Sequence, residues 1–288
     1  MSESAPLSVG DWLREATARL AAAGIEEARL DAELLLAHSL GLARAALLAH
    51  PERPFSRAEA ETLSALLKRR AMREPLPYLT GWREFFGLGF SVDPNVLIPR
   101  PETELLVERA LAWAADQGLP STLTLADVGT GCGCIAVALA VHLPQAMIYA
   151  SDLSADALAV ARRNAARHGV ASRVRFCQGD LLAALPEPVQ MIVANLPYIS
   201  QQEWPNLPPE VRWEPRWALD GGPDGLDLVR RLLAQAPHYL APNGALLLEI
   251  GARQGEAAIR LARAAFPRAE VSLLHDGAGC ARVIQVCL

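Results

Sequence analysis

Asn195-Leu196-Pro197-Tyr198 closes the apolar run Met191-Ile192-Val193-Ala194, which reads as a short buried strand. A strand of an open α/β sheet that stops there puts a polar amide at its carboxyl end, where such sheets bind ligands. The Asn195 side-chain oxygen accepts hydrogen bonds. Pro197 has no N–H and restricts the residue before it, so the Leu196 carbonyl is left outside any sheet ladder. Side by side, these acceptors suit an incoming NH2 group, and the Tyr198 ring suits a flat substrate. An ordinary strand-to-loop turn has the same composition. The tetrapeptide alone leaves both readings open.

Further chemistry-bearing residues stand at the ends of other expected strands. Leu123 to Val128 contains Asp127 and runs into Gly129-Thr130-Gly131-Cys132-Gly133-Cys134. Glycines at a strand-to-helix turn let backbone approach a ligand closely. The dehydrogenase fingerprint G-x-G-x-x-G would need glycine at position 134, where Cys134 stands. The next strand, Met147 to Ala150, ends at Ser151-Asp152. An acid about 20 positions after such glycines can accept hydrogen bonds from ribose hydroxyls. A third strand, Val174 to Gln178, ends at Gly179-Asp180-Leu181. There Asp180 can accept from an adenine amino group and Leu181 can pack on the ring. Each acid singly fits a helix cap or a surface charge. Asp127, Asp152 and Asp180 at successive strand ends favour an adenosine site.

The elements that must hold these residues alternate strand and helix from Leu123 onward, the pattern of a parallel sheet with helices on both faces. Ser154 caps a helix that stops at Gly169, and Leu226 to Leu240 and Glu256 to Ala265 read as later helices. Ala245 to Ile250 is a strand, and Val271 to Leu274 with Arg282 to Val286 form a closing pair. Pro208 to Pro215 reads as a rigid aromatic-bearing loop, either a cover for a substrate or a plain crossover.

Residues 1–75 read as helical throughout. Val9, Trp12, Leu13, Ala16 and Leu20 keep helical period after a cap at Ser8, and Leu30, Leu34, Ala37 and Leu40 repeat it. Ser56 with Glu59 makes a capping box before a stripe that ends in Lys68, Arg69, Arg70 and Arg73. This bundle either grips a partner, the favoured reading, or stabilises the rest, its basic turn then complementing a helix dipole. Residues 76–97, broken by Pro77, Gly81, Gly87 and Gly89, read as a β-hairpin or extended linker. It leads into Ile98-Pro99-Arg100-Pro101-Glu102-Thr103-Glu104, where Pro101 and the acids fit a helix start. Arg100, stiff between prolines, suits a residue lining a cleft.

Composition excludes several alternatives. At 288 residues, half of them apolar, the chain can bury a large core. A net charge of −5 argues against broad nucleic-acid binding. Lys68 is the sole lysine, so Schiff-base chemistry would have to use it. Met1 to Pro6 lacks the pattern of a signal peptide, and no apolar run is long enough for a bilayer. The five cysteines have no CxxC spacing and the six histidines are scattered, which predicts free thiols, no metal and a cytoplasmic setting.

Taken together, Asp127 to Gly133, Asp152, Asp180 and Asn195 to Tyr198 resemble a class I S-adenosylmethionine-dependent methyltransferase of the amino-methylating kind. Within that class, Ile98 to Glu104, Glu214-Pro-Arg-Trp-Ala-Leu-Asp-Gly-Gly-Pro-Asp-Gly225 and Leu248-Glu-Ile-Gly251 resemble the HemK/PrmC family. The resemblance spans essentially the whole chain. It implies a Rossmann-like, mostly parallel seven-stranded sheet over residues 98–288, a β-hairpin linker and an N-terminal helical substrate-recognition domain. It implies methylation of the glutamine of the Gly-Gly-Gln motif in peptide-chain release factors 1 and 2. The chain is expected to be a monomer with no stable nucleic-acid binding and no membrane attachment. S-adenosylmethionine would be held by Asp127, Gly129, Thr130, Gly131, Cys132, Gly133, Asp152, Asp180, Leu181 and Asn195. The glutamine amide would be held by Arg100, Asn195, Leu196, Pro197 and Tyr198, the last four also carrying the transfer. The family usually has Asn-Pro-Pro-Tyr. Leu196 replaces its first proline, as in the Asn-Leu-Pro-Tyr of ribosomal-RNA adenine dimethyltransferases, so adenine N6-methylation is the competing expectation. A third is a binding-only relative with a dead site.

Overall fold

The computed structural model describes residues 8–117 and 123–288, so the expectation drawn from Met1 to Pro6 lies outside the described residues. The chain forms two compact units, Met1–Gly81 with Pro208–Trp213, and Trp82–Leu207 with Glu214–Leu288.

The first unit is helical: α1 (Val9–Ala22), α2 (Ala28–Leu40), α3 (Arg44–Ala49), α4 (Arg57–Ala71) and α5 (Leu76–Thr80). Its ends are set locally. Ser8 with Asp11 and Ser56 with Glu59 form capping boxes, each satisfying backbone N–H groups that the first turn leaves open. Gly41 closes α2 in the left-handed region. Trp12, Leu13, Leu20, Leu35, Leu36, Leu63 and Leu67 make the core. The basic turn of α4 does more than complement a dipole. Arg70 is buried and donates to Asp31 at 2.7 Å, and both Arg70 and Arg73 pair with Glu210 of the returning segment. The stretch expected as one loop from Pro208 to Pro215 is therefore divided, its first six residues belonging to the helical unit.

The second unit opens with a hairpin, β1 (Trp82–Phe85) and β2 (Leu88–Ser91). Asn164 is fully buried, accepts from Ser91 N–H and donates to the carbonyls of Ser91 and Cys132, so one side chain pins the hairpin beside the glycine turn. A 3-10 turn at Pro101–Thr103 leads into α6 (Glu104–Asp116). There follow β3 (Leu123–Val128), α7 (Cys134–His142), β4 (Ala146–Asp152), α8 (Ala155–Arg167), β5 (Val174–Gln178) and β6 (Val189–Ala194). The chain ends with α9 (Asp227–Tyr239), β7 (Leu240–Glu249), α10 (Gly255–Ala265), β8 (Glu270–His275) and β9 (Ala281–Cys287).

The seven strands lie in the order β5-β4-β3-β6-β7-β9-β8, all parallel except β9, which is antiparallel to both of its neighbours. Helices cover both faces, which is why the central strands read as continuous apolar runs. From β3 the chain builds outward through β4 and β5, then crosses back to lay β6 on the other side of β3. The carboxyl ends of β3 and β6 thus flank a switch point, where open sheets leave a crevice. Register sets the level: Val128 pairs with Ser151 and Ala194, and Ala194 with Leu248. Gly129, Asp152 and Asn195, which follow Val128, Ser151 and Ala194, all reach the same crevice.

Candidate active site

The glycine turn follows β3 directly. Gly129 has φ +75°, and a Cβ there would come within 3.1 Å of the Leu196 side chain, so no larger residue fits without displacing it. Gly129 and Thr130 donate their N–H groups to the Ser151 carbonyl at 2.9 Å, tying the turn to the end of β4. Asp127 holds the turn from behind. It is fully buried, and one carboxylate oxygen accepts from the Thr130 hydroxyl at 2.6 Å and Ala136 N–H at 3.0 Å. Burial pushes its pKa up to about 7 against those hydrogen bonds.

A cavity of about 500 Å3 opens at the switch point. Of the residues predicted from sequence, Gly129, Gly131, Asp152, Asp180, Leu181, Asn195, Leu196 and Pro197 line it. The Asp152 carboxylate accepts from Gly131 N–H and Ser154 N–H, both at 2.9 Å, leaving a lone pair on each oxygen for a ligand hydroxyl. Burial raises its pKa, opposed by these backbone donors. Asp180 also faces the cavity and pairs with Arg231, an arginine that no motif or spacing singled out. Leu97, Leu153, Trp217 and Leu228 add apolar wall.

Other predicted residues lie elsewhere. Asp127 was expected to face the ligand with Asp152 and Asp180; it turns inward because its carboxylate is the acceptor that closes the glycine turn. Thr130, Cys132 and Gly133 stand behind the turn and are not on the cavity wall. Arg100 does not line the cavity either: it donates to Glu214, whose other oxygen accepts from Ile98 N–H at 3.0 Å. One buried carboxylate thus binds the two sequence blocks, 98–104 and 214–225, to each other. Tyr198 is also off the wall, its phenol pKa raised chiefly by burial and by the neighbouring Glu249.

Asn195 to Tyr198 is held from several sides. Asn195 Nδ2 donates to the Thr103 hydroxyl at 3.0 Å. Ile199 N–H donates to the Leu219 carbonyl and Gly221 N–H to the Ile199 carbonyl, both at 2.9 Å. Gln254 Nε2 donates to the Tyr198 carbonyl at 2.9 Å. Gly225, at φ +77°, passes so close that a Cβ would lie 2.2 Å from that same carbonyl oxygen. Thr103, Glu214 and Glu249 stood in quoted blocks, but spacing alone assigned them no work. The one available signal was Glu249, a carboxylate closing the apolar run Ala245-Leu246-Leu247-Leu248.

Residues 11–81 match the PrmC N-terminal domain, and residues 103–207 the methyltransferase small domain. The chain is 48% identical over 268 residues to the release factor glutamine methyltransferase of Moorella thermoacetica, covering 93% of this chain and 94% of that one. It is 47% identical over 283 residues to the release factor glutamine methyltransferase of Cereibacter sphaeroides, covering 98% and 99%. Among solved structures, the N-terminal domain of human METTL16 in complex with SAH aligns with a TM-score of 0.51 at 16% identity, over 81% of this chain and 83% of that one. With the sheet order and the crevice at its switch point, the fold is that of the class I S-adenosylmethionine-dependent methyltransferases. The near full-length identities narrow this further. The chain belongs to the release factor glutamine methyltransferase family.

Proposed function

We propose that this enzyme transfers a methyl group from S-adenosylmethionine to the side-chain amide nitrogen N5 of the Gly-Gly-Gln glutamine in peptide-chain release factors 1 and 2. The observation that carries the reading is one shared cavity: Asn195, Leu196 and Pro197 line the same space as Gly131, Asp152 and Asp180. The lining suits the cofactor. Asp152 offers acceptors for ribose hydroxyls, Asp180 an acceptor for the adenine amino group, and Leu153 and Leu181 apolar faces for the ring. When bound, the cofactor supplies a methyl group already activated on a sulfonium.

An amide nitrogen is a poor nucleophile because its lone pair is delocalised into the carbonyl, so the protein's task is alignment. With Asn195 Nδ2 engaged by Thr103, the Asn195 carbonyl oxygen is the end of that amide left for substrate. Together with the Leu196 carbonyl it accepts the two amide hydrogens and points the nitrogen into the cavity. Those two oxygens also stabilise positive charge as it develops on nitrogen, and the methylated nitrogen, made acidic by that charge, then gives up one of its hydrogens as a proton to water. Tyr198 and Arg100 support this seat from behind: Tyr198 through its turn, Arg100 through Glu214. Asp127, Thr130, Cys132 and Gly133 serve the cofactor by shaping the glycine turn.

Residues 1–75 are the substrate-recognition domain in this reading, with 76–97 the linker. Its support is the family match over residues 11–81, which ends with the first stretch of the helical unit at Gly81, so that α5 joins that unit rather than the linker. The enzyme acts as a cytoplasmic monomer without stable nucleic-acid binding, in keeping with a net charge of −5; no helix among the described residues is long and apolar enough to cross a membrane.

The test is to incubate the protein with methyl-labelled S-adenosylmethionine and, in parallel, release factor and unmodified ribosomal RNA, then locate the label by mass spectrometry. A methyl on the Gly-Gly-Gln glutamine is expected. A methyl on adenine, and none on glutamine, overturns the reading. In Asn195→Ala turnover should fall by about 100-fold or more while cofactor affinity stays within about twofold.

A further inference from the structure

A glutamine side chain is a flat amide on two methylenes, and a site that aligns it gains from a broad apolar face beside the acceptors that take its hydrogens. The tetrapeptide's own aromatic does not supply that face, because Tyr198 is not on the cavity wall. We propose that Trp217 supplies it, the indole packing against the glutamine side chain while Asn195 and Leu196 accept the amide hydrogens. This role rests on the reading of glutamine as the methyl acceptor and adds a substrate-binding residue to it.

The chain holds Trp217 in place from both sides. Glu214, before it, is buried and accepts from Ile98 N–H at 3.0 Å and from the Arg100 guanidinium. Leu219, after it, is also buried, and its carbonyl accepts from Ile199 N–H at 2.9 Å. Ile199 follows the tetrapeptide directly, and Asn195, Leu196 and Pro197 of that tetrapeptide line the cavity. The 3-10 turn Arg216–Ala218 is therefore fastened beside the substrate acceptors. Its side chains divide the work. Arg216 lies over the Trp204 ring, 4.9 Å from the ring centre, and reaches Asp220 at 3.3 Å. Trp217 and Ala218 line the cavity. Trp217 is 51% exposed, so half of a large apolar ring in a concave wall is still open to be covered by a ligand. The cofactor end of the cavity has walls of its own: Leu153 and Leu181 follow β4 and β5, and Leu228 lies in α9. Trp217 comes instead from the segment hydrogen-bonded to Ile199, which assigns its face to the acceptor end. The indole N–H is a donor only, so this ring cannot draw the amide hydrogens away from Asn195 and Leu196. A phenol in the same place would offer a competing oxygen.

The test measures steady-state methylation of release factor, and affinity for S-adenosylhomocysteine by calorimetry, in the full chain carrying Trp217→Ala or Trp217→Phe. In Trp217→Ala, kcat/KM for release factor should fall by about tenfold or more, with KM carrying most of the change. Cofactor affinity should stay within about twofold, because the substrate side of the cavity alone has lost a wall. Trp217→Phe keeps a flat apolar ring and should bring kcat/KM back to within about threefold of the unaltered protein. If Trp217→Ala does not fold, as judged by thermal melting, Trp217→Gln removes the ring while keeping reach and serves for the same readouts. A smaller fall in kcat/KM on removing the ring overturns the proposal. So does a loss of cofactor affinity as large as the loss in kcat/KM, which would put the indole over the cofactor. So does Trp217→Phe as impaired as Trp217→Ala, which would make the residue a structural one. Failure of the wider reading shows separately, as no glutamine methylation by the unaltered protein, and this role falls with it.

Discussion

Leu196 stands where the expected Asn-Pro-Pro-Tyr pattern has its first proline, and its side chain has found structural work. It is 3% exposed and packs against Gly129, so the turn proposed to offer a carbonyl to the substrate rests on the glycine turn. Leu196→Ala should destabilise the protein by about 2–5 kcal/mol through the cavity it leaves, measured as a lowered denaturation midpoint. Asp152 makes the complementary case at the cofactor. Asp152→Ala removes two lone pairs for hydroxyls and frees Gly131 N–H and Ser154 N–H, so affinity for S-adenosylmethionine should drop about 10- to 100-fold by calorimetry. At this scale the sequence was legible where chemistry and position coincide. Asn195 and Asp152 stood out as polar residues closing apolar strands, and both line the cavity. Asp127 was expected beside them but lies off the cavity wall: a carboxylate at a strand end looks the same whether it faces a ligand or closes a turn behind it. Arg100 was legible as important but not as the partner of Glu214, which stands more than a hundred residues away in the chain.

Among the elements, those of strict period were readable to within a few residues, and capping boxes at Ser56 and Ser154-type caps fixed helix starts. β7 was read as starting at Ala245, whereas it begins at Leu240, because Pro242 and Gly244 look like a turn and are accommodated at a register shift opposite Val189 and Met191. The 214–225 block was visible only as a likeness. Its physical content is contact between backbones: the carbonyls of Pro197 and Tyr198 face Gly221 and Gly225 at distances that exclude any side chain. Gly225→Ala therefore combines a left-handed backbone with a collision. It should lower the melting temperature, and turnover should fall more than cofactor affinity, since the displaced group is the Tyr198 turn.

For the molecule as a whole, two buried acids make stability depend on pH in an uncommon direction. Burial raises Glu249 from 4.5 to about 7 and Asp127 from 3.8 to about 7. Between those values the native protein binds more protons than the unfolded chain, so the stability from these groups is present at low pH and is lost as pH rises towards about 7. Full loss at Glu249 is on the order of 3 kcal/mol. Glu249→Gln cannot titrate, so its melting temperature relative to the unaltered protein should be more favourable at about pH 8 than at about pH 5. Equal differences at both pH values would remove Glu249 from the account. The helical unit has a different vulnerability: Asp31→Ala leaves buried Arg70 with fewer acceptors and should cost about 3–5 kcal/mol, seen in urea denaturation.

That unit is also discontinuous, since Pro208–Trp213 supplies the Glu210 that engages Arg70 and Arg73. A gene cut after Gly81 would therefore sever a module whose parts lie in separate stretches of the coding sequence. Chimeras that exchange the helical segment between relatives must carry the distant hexapeptide with it. A recombination event that moved only one of the pieces would leave arginines of one parent facing a loop matched to the other.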